Sequence, residues 1–267
     1  MRIGLAQLNS RQNRAANLAA AGEAVDRLAQ AGVDLVLLPE MFNFHGLEDA
    51  YAEAAEPVPG PSSEWAQCKA REHGVFLHCG SLAERRGGKV YNTSVLFDRT
   101  GAESARYSKI HLFDAKTPDG LDYKESAAFT PGNEVVTYDC EGVTVGLAIC
   151  YDVRFPQLFH ALADRGAQVF LLPAAFTIPT GISHWEPCLR ARAIENGCYM
   201  AACGQWGRYA RGRENYGHSM VVDPWGVVIA QCPESTGTLV AELDMDHLRD
   251  VRERLPVQRH RRRDLFG

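Results

Sequence analysis

RLAQAGVDLVLLPEMF, residues 27–42, and ALADRGAQVFLLPAAF, residues 161–176, align without a gap. Each reads as a helix end, a glycine, a buried strand, Leu-Leu-Pro, two further residues and a phenylalanine. The strands ahead of those helices echo too: GLAQLNS at 4–10 matches GLAICYD at 146–152. A βαβ unit written twice predicts two related halves packed sheet against sheet. Ligands in sheets of this kind favour the carboxyl ends of the strands, so chemistry is expected just past them.

The rest of the chain keeps the alternation. RIGLAQL (2–8) reads as a strand, NRAANLAAAGEAVDRLAQAG (13–32) as an Ala-rich amphipathic helix, and VDLVLLP (33–39) as a buried strand. SSEWAQCKAREHG (62–74) predicts a helix with a serine cap and a terminal glycine. VFLHCGSL (75–82) reads as a strand, ERRGGK (84–89) as a turn, and YNTSVLFD (91–98) as an alternating strand. VVTYDCEGVTVGLAI (135–149) and VVDPWGVVIAQC (221–232) predict hairpins. Long apolar strands between helices argue an α/β protein with every sheet face covered.

Composition narrows the function classes. With 267 residues the chain can bury a large core, and its 46% hydrophobic and 23% charged residues are ordinary for a globular protein. A net charge of −5 gives no field for nucleic acid or an anionic membrane. The one basic run, RHRRR at 259–263, reads as a solvated or docked tail. MRIGLAQLNS is too short in apolar residues for a signal peptide, and no run approaches the roughly 18 apolar residues of a membrane span. Eight cysteines without a C-x-x-C pair read as reduced thiols of a cytoplasmic enzyme.

Three residues stand where strands are expected to end. Glu40 closes VDLVLLPE, Lys109 closes SARYSK, and Cys150 closes VTVGLAIC. Singly, each has a plain reading: a polar residue after a strand, a surface charge, a small core residue. Together, a carboxylate, an ammonium and a thiol at one sheet end make a base, an electrostatic stabiliser and a nucleophile. A free thiol has a pKa of about 8.5, so it needs help at neutral pH. An ammonium nearby favours the thiolate, and a carboxylate can take the proton.

The contexts of these residues are specific. LLPEMF (37–42), YSKIHLFD (107–114) and GLAICYDVRFPQL (146–158) resemble the three catalytic motifs of the nitrilase superfamily of carbon–nitrogen hydrolases. The resemblance runs end to end, through HWEPCLRARAIENGCY, YGHSMVVDPWG and the terminal RRRDLFG. It implies one domain over 1–267, with roughly the last 20 residues as a C-terminal extension. The implied fold is a four-layer αββα sandwich of two mixed sheets with internal pseudo-twofold halves. The implied roles are Glu40 as general base, Lys109 as stabiliser of the tetrahedral intermediate and Cys150 as nucleophile, with Glu125 in YKESAAFTPG as the second acidic position. No metal or organic cofactor is implied, and a homodimer or higher homo-oligomer is.

Substrate class follows from the residues after the cysteine. Where true nitrilases typically carry Trp-Glu, this chain has Tyr151 and Asp152, and CYDVRFP is similar to the branch holding ω-amidase and deaminated glutathione amidase. YGHSMVVDPWG and LPVQRHRRRDLFG lie nearest the latter. The resemblance puts the backbone N–H of Tyr151 at the oxyanion and Arg154 on a substrate carboxylate. His111, two residues after Lys109, reads either as a residue that orients the site or as a satisfied core histidine. A guanidinium suits a carboxylate because its planar fork donates two parallel bonds. The expected partner is thus a small-molecule amide carrying a carboxylate: deaminated glutathione, or alternatively 2-oxoglutaramate or an N-carbamoyl amino acid. A Cys–His hydrolase and a metalloenzyme compete weakly, since no histidine sits in a partner motif and no H-x-x-x-H spacing occurs. A catalytically silent scaffold would have no need of the intact Glu, Lys and Cys.

Overall fold

The computed structural model describes residues 1–266; Gly267, the last residue of the tail motif, lies outside them. One sheet runs in the order Gly237–Glu242, Arg2–Gln7, Leu35–Leu37, Phe76–His78, Lys89–Phe97, Leu82–Arg86, with Glu103–Ser108 also paired to Lys89–Phe97. The other runs Val228–Gln231, Met220–Val222, Tyr199–Gly204, Val169–Ala174, Val143–Leu147, Thr137–Cys140. In both, three parallel strands sit inside antiparallel neighbours. The repeated sequence therefore has a repeated topology: Arg2–Gln7 beside Leu35–Leu37 in one half, Val143–Leu147 beside Val169–Ala174 in the other.

Period-two alternation decides which side chains go where. Ile3, Leu5, Leu35 and Leu37 join Val145, Leu147, Leu171 and Ala201 in the core between the sheets. Their neighbours Ala6, Val36 and Leu38 face the other way, onto Ala21, Val25 and Leu28 of the helix Arg14–Gln30. Ala66 and Ala70 of the helix Pro61–His73 complete that outer layer. On the far side, the helices Pro156–Asp164 and Ile178–Asn196 bury Phe159, Leu162, Trp185 and Leu189. The result is two mixed sheets flanked by helices, the αββα arrangement.

Several boundaries differ from the sequence reading. The second helix begins at Pro61, with Gly60 rather than a serine as cap, because proline's fixed φ suits the first helical position. Ser63 instead accepts from the Gly60 N–H at 2.9 Å. The run 75–82 splits into Phe76–His78 and the start of Leu82–Arg86, and the turn shortens to Gly87–Gly88, both at positive φ. Two ribbons that the sequence did not announce, Asp114–Lys116 with Asp122–Lys124 and Trp206–Ala210 with Arg213–Tyr216, stand apart from the main sheets. The basic tail docks: Arg261 and Arg263 reach Asp164 at 3.2 and 2.6 Å. Among the described residues no helix is long and apolar enough to cross a membrane.

Candidate active site

Glu40 lies three residues beyond Leu35–Leu37, on a turn that needs a close neighbour without a side chain. That neighbour is Gly80, where a Cβ would stand 1.9 Å from the Pro39 carbonyl oxygen. The Ser81 hydroxyl oxygen accepts from the Met41 N–H at 3.1 Å and fixes the turn. Lys109 directly follows Glu103–Ser108. Cys150 is not the last strand residue. The strand ends at Leu147, and Cys150 opens a 3₁₀ turn, Cys150–Arg154, in the left-handed region at φ 47°. A left-handed cysteine is strained, and Asp152 holds it there. The Ile149 N–H donates to Asp152 Oδ2 at 2.9 Å, and the Asp152 N–H donates to the Ile149 carbonyl at 3.0 Å.

The structure brings Glu40, Lys109, Glu125 and Cys150 around one cavity. Lys109 Nζ donates to Glu40 Oε1 at 2.9 Å and to both oxygens of Glu125 at 2.9 and 2.8 Å. The Asn92 amide donates to the same Glu40 oxygen at 2.8 Å and to Glu125 at 3.1 Å. Glu40 Oε2 accepts the Ala175 N–H at 2.7 Å, which ties a residue of the first half to the second sheet. Glu125 is anchored by the Phe113 N–H at 2.6 Å. Sequence reasoning left Asn92 as a strand residue and gave Asp152 no role. An asparagine in an alternating strand carries no signal of its own, whereas a buried aspartate two residues past the cysteine could have been found as the cap of its turn.

Electrostatics assigns the protons. Burial raises the Glu40 carboxyl, but the Lys109 ammonium and its hydrogen bond outweigh burial and hold Glu40 below the usual carboxylate range. Burial lifts Glu125 above that range, Lys109 pulls against it, and the negative Glu40 adds to the rise. Burial opposes the charge on Lys109, yet Glu125 and Glu40 keep it protonated well above the ordinary lysine value. Burial pushes the Cys150 thiol well up, and Glu40 adds to this. Lys109 pulls it down without winning. Lys109 favours the thiolate as expected, but burial and the Glu40 charge outweigh it. The balance favours the thiol form of Cys150 and the charged form of Glu40 beside it.

Away from the cysteine the cavity wall is aromatic and polar: Tyr51, Phe113, Tyr123, Phe129 and Tyr209, with His45, Glu48 and Arg213. Arg154, Tyr151 and His111 are not among the lining residues. His111 Nδ1 meets Asp152 Oδ1 at 2.7 Å and its ring stacks on Phe155. Tyr151 packs edge-on against Phe113 and Phe155. The Arg154 guanidinium lies over Tyr151 and Phe176 with His184 Nδ1 at 3.2 Å, and no carboxylate pairs with it among the described residues. Asp26, Glu72 and His73 form the one described cluster with metal-like spacing. Lys69 donates into it at 2.8 and 3.1 Å, so its charge is already met.

This geometry coincides with a family-wide match. The family model for carbon–nitrogen hydrolases matches residues 2–253. The chain belongs to the carbon–nitrogen hydrolases. It is 42% identical over 261 residues to a deaminated glutathione amidase of Synechocystis, covering 96% of both chains. Saccharomyces cerevisiae Nit3, a member of branch 10 of the nitrilase superfamily, superposes with a TM-score of 0.88 at 32% identity, covering 98% of this chain and 96% of that one. A mutant of an amidase from Nesterenkonia superposes at 0.80 with 31% identity over 96% and 98% of the two chains. In that mutant amidase, acrylamide has undergone Michael addition at the active-site cysteine. This chain is accordingly an amidase of the nitrilase superfamily.

Proposed function

We propose that the site hydrolyses a linear amide through a thioester on Cys150, and that the substrate is deaminated glutathione. The observation that carries the chemistry is the buried Glu40 carboxylate, bonded to Lys109 Nζ at 2.9 Å on the cavity that Cys150 also lines. Glu40 takes the thiol proton as sulfur attacks the carbonyl carbon, so no resting thiolate is needed. Negative charge then develops on the carbonyl oxygen. Lys109 Nζ and the Tyr151 N–H are its donors, and loss of one such donor typically costs about 10²–10³ in turnover. The proton on Glu40 passes to the departing nitrogen as the carbon–nitrogen bond breaks. Water then gives its proton to Glu40 and its oxygen to the thioester carbon, and the thiol regains a proton as it leaves.

Two observations support the substrate. The chain is similar over its length to a relative of that name, and the Arg154 guanidinium has no carboxylate of its own among the described residues. The site then takes a 2-oxo acid amide, with Arg154 on its carboxylate. Turnover on deaminated glutathione, 2-oxoglutaramate, glutamine and N-carbamoyl amino acids tests the reading. The highest kcat/KM should fall on deaminated glutathione. Turnover of 2-oxoglutaramate with deaminated glutathione left intact would replace this assignment by ω-amidase.

A further inference from the structure

We propose that Arg213 is a positioning residue of the reaction: it clamps the strand that leads into Glu125 and so fixes Glu125 against Lys109. The inference rests on the amidase reading and on Glu125 taking part in it. Glu125 directly follows Asp122–Lys124, whose only partner strand among the described residues is Asp114–Lys116. A two-stranded ribbon with three residue pairs is marginal by itself, so its orientation has to come from outside. Arg213 supplies it. Nη2 donates to the Asp122 carbonyl at 2.8 Å, the guanidinium lies 4.3 Å from the centre of the Tyr123 ring, and Nη1 donates to Glu48 Oε1 at 2.8 Å.

Arg213 is delivered by an anchored ribbon. It begins the return strand of the ribbon Trp206–Tyr216, whose ends are pinned by the Trp206 N–H to Leu8 at 2.7 Å and the Tyr216 N–H to Phe176 at 2.8 Å. A planar guanidinium engages a carbonyl, a carboxylate and a ring face at once, which lysine cannot reproduce. Arg213 does not touch Glu125, so its influence runs through two residues of backbone.

A double-mutant cycle with Glu125→Gln reads that path. Arg213→Ala should lower kcat about tenfold with KM nearly unchanged, and should add less than about twofold in the Glu125→Gln background. Arg213→Lys should not rescue it. Glu48→Gln should give a smaller loss with the same non-additivity, and it carries the test if Arg213→Ala does not fold. Equal fold-losses in both backgrounds would make Arg213 merely structural and overturn the proposal. So would a rise in KM alone, the mark of a substrate contact. Full turnover by Glu125→Gln would remove the premise while the amidase reading stands, whereas an inert native chain would sink that reading itself.

Discussion

Asp152, two residues past the cysteine, accepts both the N–H and the Nδ1 of His111, two residues past the lysine, at 3.0 and 2.7 Å. Its other oxygen takes the Tyr107 hydroxyl at 2.6 Å. One fully buried carboxylate thus latches the turn that presents the sulfur to the loop that presents the ammonium. Asp152→Asn keeps the shape but replaces one acceptor oxygen with a donor. Bonds to charged groups are worth roughly 1.5–3 kcal/mol, so kcat should fall at least about tenfold. A steady-state assay with native-like circular dichroism checks it, and unchanged kcat would remove the latch from the mechanism.

Glu40→Gln should abolish amide turnover by a factor of about 10²–10⁴, the usual weight of a general base. The thiol should respond the other way. Glu40 raises the Cys150 pKa, so removing its charge leaves Lys109 less opposed and lowers that pKa. Iodoacetamide labelling of Cys150 at neutral pH should therefore be no slower in the variant. In the native chain, labelling at Cys150 should track loss of activity, while labelling at the exposed Cys68 should not. Full activity with Cys150 quantitatively labelled would end its role as nucleophile.

Arg154→Lys should lower kcat/KM on a 2-oxo acid amide about ten- to a hundredfold, because the charge stays but the fork is lost. A neutral amide and the rate of Cys150 alkylation should change far less. Equal losses on both amides would make Arg154 a packing residue between Tyr151 and Phe176.

Two buried histidines should make the fold acid-sensitive. Burial pushes His78 down to about 3 and His45 down to about 4. The unfolded chain, titrating near the ordinary value of about 6.5, binds protons that the folded chain refuses. Stability is therefore complete above about 6.5 and falls as pH drops toward the folded values, at up to about 1.4 kcal/mol per pH unit for each group. Urea melts at pH 7.5, 6 and 5 measure the slope. His78→Gln should flatten it, and an unchanged slope would place the acid sensitivity elsewhere.

Assembly beyond the monomer is a further expectation, drawn from the family and from an exposed Leu265 near the C-terminus. Sedimentation at micromolar concentration should find a species at least twice 29.4 kDa. A single monomeric species would count against it.

The αββα layering was legible because a βαβ unit is written twice and because strand alternation is strong in segments such as RIGLAQL. Clustering of Glu40, Lys109, Glu125 and Cys150 came from motif resemblance; periodicity alone places residues at strand ends but not beside one another. What stayed hidden depends on tertiary balance. The strand before Cys150 stops three residues early because Asp152 caps a turn from the far side. The thiol's pKa rises because the fold buries it and sets the Glu40 charge beside it, more than Lys109 offsets. The ribbons around residues 114–124 and 206–216 have strands of three to five residues, too short to carry a periodic signal, and each is held by contacts to other segments.

The echo between the two halves is unequal where it matters. Glu40 aligns with Ala174, and Cys150 aligns with Leu8, so each half retains one reactive group and an inert counterpart of the other. On the proposed roles neither half alone carries both groups, so turnover depends on the docking of one on the other. A slip between the sheets would part Glu40 from Cys150 while every helix and strand survives. Inactivation on heating should accordingly run ahead of the loss of secondary structure, making enzymatic activity a more sensitive thermometer of this molecule than its circular dichroism.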